Sequence, residues 1–181
     1  YLAQLAYGCG TYDVRFEIEA APVVVDPATL VGTTFDIDLA TGVWVEPAVI
    51  ADLLGSTSLG GLLVEVLAAD DTALDLRLAG SLPGSQNLCA VTTDVAGASF
   101  TLNPDFSTPA FDVELSVSEV AMPLVNAVLS GRFVGSALER GSIEGSFDTR
   151  AYGEVVGLGS DPAATCDLLS AFGVDCEPCP D

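Results

Sequence analysis

The sequence predicts a mainly β fold: a single antiparallel β-barrel or β-sandwich of about nine or ten strands with two or three short helices. Two observations lead there. Apolar residues alternate with polar ones at a period of two in one segment after another, as in strands with one face on a core and the other in water. Breaks rich in Gly, Pro and Asp separate these segments, and no tract between them reads as a linker or a long repeat. The longest pattern runs from Phe111 to Thr149. Phe111, Val113, Leu115 and Val117 alternate with Asp112, Glu114, Ser116 and Ser118. After a break at Met122-Pro123 the pattern resumes as Ala127, Leu129, Gly131 and Phe133, then Ile143, Gly145 and Phe147. Three such strands in succession predict a meander. Gly131, Gly135 and Gly145 on its apolar face suit a strongly bent, closing sheet.

The other elements follow in chain order. Tyr12, Val14, Phe16, Ile18 and Ala20 alternate with Asp13, Arg15, Glu17 and Glu19, a clean strand ended by Pro22. Thr33–Leu39 and Val43–Val45 predict a hairpin across Ala40-Thr41-Gly42. Trp44, the only tryptophan, is out of phase with Phe35 and Ile37 and is the candidate contact residue; it caps an open end, faces a groove or closes a core. Pro47 to Gly55 reads as a short helix that plugs one end of the sheet. Leu62–Leu67 and Leu74–Leu82 form a second hairpin around Asp70-Asp71. Cys89–Val95 and Ala98–Asn103 are weaker strands, and Asn103-Pro104-Asp105 is a turn. Arg150–Leu158 is a short helix or irregular turn. Ser160-Asp161-Pro162 starts a helix that puts Cys166, Leu169 and Phe172 on one face and stops at Gly173. Residues 1–10 are then an N-terminal segment, 11–159 the antiparallel β domain, and 160–181 a disulfide-stapled helix and tail.

Composition narrows the function. Hydrophobic residues make up 50% and charged residues 17%, with a mean hydropathy of +0.50. No apolar run approaches the roughly 18–20 residues of a membrane-spanning helix. The surplus is therefore spread over strands, where it thickens a core, lines a cavity or meets another subunit. There are 26 acids against five basic residues, for a net charge of −21. That charge repels nucleic acid and anionic membrane surfaces, disperses an apolar protein and attracts cations. The basic residues are all arginine, which suits a GC-rich genome or a salt-adapted one. Without His there is no Ser-His-Asp or Cys-His catalysis and no His-ligated zinc or iron. Without Lys there is no Schiff-base chemistry. Only carboxylate chemistry remains, and acids are too plentiful for any pair to stand out. No cofactor is expected. Asp70 and Asp71 are the single Ca²⁺ candidate, but the acidic spacing of an EF-hand loop is missing, and a solvated turn is the simpler reading.

The five cysteines are Cys9, Cys89, Cys166, Cys176 and Cys179. A helix of about seven residues and a three-residue return bring Cys176 back to Cys166, so this disulfide is geometrically easy. Cys179 is then left to reach Cys89 and tie the tail to the body. Cys176-Glu177-Pro178-Cys179 has redox-motif spacing but no strand–motif–helix context. A zinc site from Cys89, Cys166, Cys176 and Cys179 has one C-x-x-C where two are needed. Disulfides imply an oxidising compartment and export. Cys9 follows the small Gly8 as in a bacterial lipoprotein signal, although Ala6 stands where that signal has leucine; a free or bridged Cys9 is the other reading.

Several stretches carry a resemblance: Gly32-Thr-Thr-Phe-Asp-Ile-Asp-Leu39, Gly42-Val-Trp-Val-Glu-Pro47, Asn103-Pro-Asp-Phe106, Leu129-Ser-Gly-Arg-Phe133, Gly145-Ser-Phe-Asp-Thr-Arg150 and, above all, Cys166 to Asp181. Together they resemble uncharacterised exported lipoproteins of GC-rich bacteria of the myxobacterial kind. The resemblance implies an outer-membrane or extracellular location and lipid attachment at Cys9. It implies no activity, substrate or catalytic residue. Such sequences also continue beyond Cys-Pro-Asp to another Cys, which leaves the partners of Cys176 and Cys179 open.

The functional expectation is a non-catalytic cell-envelope or extracellular protein with a structural or interaction role, self-assembly through the N-terminal strand included. Membrane contact is expected only through a lipid on Cys9. The alternative is a β-barrel carrier for a lipid or other apolar small ligand, and a carboxylate hydrolase is the third class.

Overall fold

The structure is a computed structural model describing residues 2–7, 10–15, 24–43, 45, 60–82, 85–86, 88–117, 120–147, 153, 157–159, 161–174 and 176. Strands β1 (Leu2–Tyr7) and β2 (Gly10–Arg15) pair antiparallel as a ribbon of their own, Leu2 opposite Arg15 and Tyr7 opposite Gly10. β2 covers the start of the expected Tyr12–Ala20 strand. β1 was not expected, because Leu2-Ala-Gln-Leu-Ala-Tyr7 has too little polar alternation to read as a half-buried strand.

The remaining strands are β3 (Thr34–Ile37), β4 (Gly61–Ala69), β5 (Ala73–Leu82), β6 (Ser85–Gln86), β7 (Thr93–Leu102), β8 (Asp105–Ser107), β9 (Phe111–Val117), β10 (Val120–Val134) and β11 (Ala137–Phe147). They form one antiparallel sheet in the order β11-β10-β8-β7-β5-β4-β3, with β6 beside β5 and β9 beside β10. β8 and β9 follow one another along the same flank of β10, opposite Ser130–Arg132 and Val120–Ala127. Thr108 bridges them: its N–H donates to Leu129 O at 2.9 Å and its hydroxyl accepts from Leu129 N at 2.9 Å. The fold is mainly β, a nearly closed barrel-like sheet; among the described residues it carries one helix, α1 (Pro162–Ala171), and two 3₁₀ turns, Pro27–Thr29 and Leu39–Thr41.

Alternation builds the core. Leu62, Val64 and Val66 of β4 and Leu74, Leu76 and Leu78 of β5 are at most 1% exposed, each worth about 1.5–3 kcal/mol of burial. At the centre lies Phe133, whose ring is 4.9 Å from Phe106, 5.1 Å from Phe35 and 5.9 Å from Phe100. Phe35 on β3 and Phe133 on β10 come from near opposite ends of the strand order, so the sheet must curl until its ends approach. Gly131 permits this. A Cβ there would stand 3.0 Å from both Leu138 Cδ1 and Phe106 Cε1.

One end of the barrel is closed by residues 24–33. The side chain of Asn103 acts as a surrogate strand: its Oδ1 accepts from Val25 N at 2.9 Å and its Nδ2 donates to Val25 O at 2.8 Å. Gly32 N donates to Val66 O and Val66 N to Thr33 O, leaving Leu30 2% exposed over the core. The expected plug, Pro47 to Gly55, lies outside the described residues.

Several expectations are corrected. Val43 and Val45 form no hairpin with β3 and stand 87% and 81% exposed. Asp38 caps the Leu39–Thr41 turn through Ala40 N, and β3 pairs with β4 instead. β10 runs through Met122-Pro123 without a break. Pro123 lies past Leu124–Phe147, the last described pair with β11, where a missing N–H is tolerated. Cys89–Val95 and Ala98–Asn103 are not two strands; Thr93–Leu102 is continuous, with Gly97 at φ +71° in a bulge whose N–H donates to Asp75 Oδ1 at 2.9 Å. Gly135 sits in the β10–β11 turn at φ +60° and does not face the core. On α1, capped by Asp161 as expected, Thr165 and Leu169 are buried while Phe172 is 49% exposed.

Candidate functional site

The expected site residues scatter. Cys166 and Cys176 are joined by a disulfide with Cα atoms 5.5 Å apart. Cys89 is exposed in the turn leading to β7, flanked by Leu88 at 85% and Val91 at 68% exposure. Cys9, Trp44 and Cys179 lie outside the described residues, and with them the lipid-anchor reading, the contact residue and the Cys89–Cys179 bridge. Asp70 caps the β4–β5 turn: its Oδ1 accepts from Thr72 N at 2.7 Å, Thr72 Oγ1 at 2.8 Å and Ala73 N at 2.8 Å. These bonds, Thr72 N–H first, hold its carboxyl below the usual range. Asp71 beside it is exposed. Among the described residues no three His, Cys, Asp or Glu side chains gather as a ligand set.

Arginine–carboxylate pairs organise the outer face. Arg77 of β5 forks onto Asp94 of β7 at 2.7 and 3.1 Å, with Glu65 of β4 at 3.9 Å. Arg132 of β10 forks onto Asp105 of β8 at 2.7 Å for both bonds. In each pair the guanidinium hydrogen bonds lower the carboxyl pKa, and the carboxylate raises that of the arginine. Every described carboxyl with a shifted pKa is thus held ionised, as an acceptor. A general acid working near neutral pH needs the opposite shift.

Phe133, Phe100 and the β4 and β5 aliphatic residues occupy the interior. At the other end β9 packs directly on β5: a Cβ on Gly80 would stand 2.5 Å from Glu114 O, and Gly60 N donates to Ser116 O at 2.7 Å. Ser81 Oγ and Thr165 Oγ1 are buried without a hydrogen-bond partner. Each lies against a glycine, Gly61 and Gly153, at positions where a Cβ would collide with the hydroxyl.

What the register does assemble is a surface strip. Leu102 pairs with Asp105, Asp105 with Arg132 and Arg132 with Glu139, so the four form a row across β7, β8, β10 and β11. Paired residues share a face, and here it is the outer one. Val134, two residues beyond Arg132, shares that face. Leu102 is 76% and Val134 41% exposed, and Val24, next to the segment tied to Asn103, is 64% exposed. Sequence reading missed this strip, because Leu102 and Arg132 become neighbours only through the β7–β8–β10 pairing.

Compared with family models, curated proteins and solved structures, the chain matches none.

Proposed function

We propose that this protein is a non-catalytic, exported protein of the cell envelope or extracellular space whose role is structural or contact-making. The observation that carries the reading is the placement of apolar side chains. The core is filled by phenylalanine and leucine, yet Leu102, Leu88, Val91, Val43 and Val45 stand more than two-thirds exposed. A chain with this much net charge tolerates apolar surface without aggregating, and such surface is the ordinary currency of protein contact. The disulfide Cys166–Cys176 supports an oxidising compartment. Among the described residues the carboxyls with shifted pKa values, Asp70, Asp94 and Asp105, are held ionised, and the sequence has no His or Lys.

Attachment by a lipid on Cys9 belongs to the same proposal and carries a consequence. Lipoprotein processing cleaves immediately before the acylated Cys, which would remove β1 and leave β2 without that partner. Ribbon and anchor are therefore alternatives. Fractionation of source cells with an antibody, followed by intact-mass measurement, tests the reading. Envelope or extracellular protein with an alkylation-resistant Cys166 and Cys176 is expected. A reduced protein in the cytosol overturns it. The mass also separates an acylated chain beginning at Cys9 from one that retains Leu2–Tyr7.

A further inference from the structure

The geometry points to a sodium-ion site on the outer face, where β3, β4 and β5 bring three oxygen atoms to one point. Gly61 at the start of β4 pairs with Ser81 of β5. On the other side of β4 runs β3, with Asp36 opposite Leu63 and Ile37 opposite Leu62. A Cβ on Gly61 would stand 2.5 Å from Ser81 Oγ, 2.9 Å from Ile37 O and 3.1 Å from Asp36 Oδ1. These are its three nearest atoms, and all are oxygen. At Gly131 and Gly145 of the same sheet the corresponding neighbours are carbons of Phe106, Leu138, Leu124 and Ala127. Glycine thus leaves a notch lined by a hydroxyl, a carbonyl and a carboxylate. Ser81 and Asp36 reach it through side-chain torsions, so both can turn onto an ion held beside the fixed Ile37 carbonyl.

Ser81 supplies an independent observation. It is 2% exposed and its Oγ has no hydrogen-bond partner, a state that calls for a water or an ion. Thr165 Oγ1, the other buried hydroxyl of this kind, meets only Gly159 O beside Gly153, with no carboxylate among the nearest atoms. The chain's own cation on β5, Arg77, is engaged with Asp94 and Glu65. A net charge of −21 draws small cations to the surface, and an oxygen-only set selects hard ones. One carboxylate balances a single charge. Asp38, two residues past Asp36, is turned to Ala40 N as a cap. Mg²⁺ gives up its waters reluctantly and Ca²⁺ gathers six to eight oxygens, which leaves a monovalent ion. The space of one missing methyl group suits sodium better than the larger potassium.

Thermal melts of the full chain in sodium chloride and choline chloride test the site. The two salts are mixed to a constant total of about 1 M, where the screening length is about 3 Å and general charge repulsion is equal throughout. The wild type is expected to melt about 2–5 °C higher in sodium than in choline, the rise growing with sodium concentration as ligand linkage requires. Ser81→Ala and Asp36→Asn should each lose most of that rise. In choline Ser81→Ala should melt no lower than the wild type, since it removes a buried hydroxyl that has no partner there. Asp71→Asn, the same loss of charge at the exposed β4–β5 turn, should keep the full rise, and potassium should give a smaller one. Equal melting in sodium and choline overturns the proposal and leaves the notch to water. So does a rise that survives Ser81→Ala or Asp36→Asn, one lost equally with Asp71→Asn, or one that potassium reproduces in full.

Discussion

The hairpins β4–β5 and β10–β11 are made from similar alternating sequence and end up under different constraints. β4 and β5 lie inside the sheet, flanked by β3 and β7, and both arms bury every second residue to 1% exposure or less over Leu62–Val66 and Leu74–Leu78. β10 is buried in the same way, but β11 has described pairing on one side only, and its inward residues Leu138, Ile143 and Phe147 are half-exposed. Irregularity follows the same division. β10–β11 holds two register shifts and positive φ at Asn126, Arg140 and Gly135. β4–β5 has one shift, between Val66 and Ala68. A strand paired on both sides cannot slip without moving a whole core layer, whereas one at the seam can bulge, twist and carry charge.

The sharpest way to break this comparison is to remove one large apolar side chain from a strand paired on both sides and one from the strand at the seam. Phe133→Ala should cost about 3–5 kcal/mol in urea unfolding, because the ring is fully buried among three others. Ile143→Ala on β11 should cost about 1–2 kcal/mol, since its side chain is already half in water. Equal losses would mean that the seam is as tightly closed as the interior.

Glycines give the next test. At Gly80 of β5 a methyl group would meet Glu114 O at 2.5 Å, and backbone cannot rotate away as a side chain can. Gly80→Ala should therefore destabilise by about 1–3 kcal/mol. At Gly141 of β11 the nearest atom is Ser130 O at 3.4 Å, an ordinary contact, and Gly141→Ala should stay within about 0.5 kcal/mol. A neutral Gly80→Ala would show that β9 does not press on β5 in solution.

These contrasts also explain what was legible in the sequence. The alternation of Leu74, Leu76 and Leu78, or of Phe111, Val113 and Leu115, reads directly as a buried face, because period two is local. The Cys166–Cys176 bridge and the Asp161 cap were readable for the same reason. The barrel was legible only as one of two alternatives, beside a sandwich, because the contact that brings its ends together, Phe35 to Phe133, spans 98 residues of chain. The strip of Leu102, Asp105 and Arg132 was not legible, because its members belong to three strands and look individually unremarkable. Val43–Val45 misled because β-branched residues after a Gly turn favour a hairpin locally, while β3 had a better partner in β4.

The turns of the two hairpins offer a smaller effect. Gly135→Ala places a Cβ at φ +60° and should cost about 1 kcal/mol. In the β4–β5 turn the work is done by a carboxylate, so Asp70→Ala should lower the melting temperature while Asp71→Ala should not. Added Ca²⁺ should leave the melting temperature of the wild type unchanged, because Asp70 Oδ1 already accepts three bonds. A Ca²⁺-dependent rise that Asp70→Ala abolishes would restore the cation reading.

The smallest effect is the acid dependence of the outer-face pairs, where β5 and β10 behave alike. Asp94 and Asp105 have folded-state pKa values below their ordinary one, through hydrogen bonds from Arg77 and Arg132. The folded state therefore binds fewer protons than the unfolded chain over that range. Stability from these pairs is complete above the ordinary aspartate pKa of about 3.9 and is lost as pH falls through the lowered values. Protonation of the remaining acids works the other way, relieving the self-repulsion of a chain at −21. A melting curve of the wild type mixes the two, so the difference from a variant isolates the pairs. Asp94→Asn combined with Asp105→Asn should melt below the wild type at about pH 6 and converge with it at about pH 2. A constant gap across that range would mean that the fork geometry stabilises the sheet through packing of the arginine stems instead of through charge.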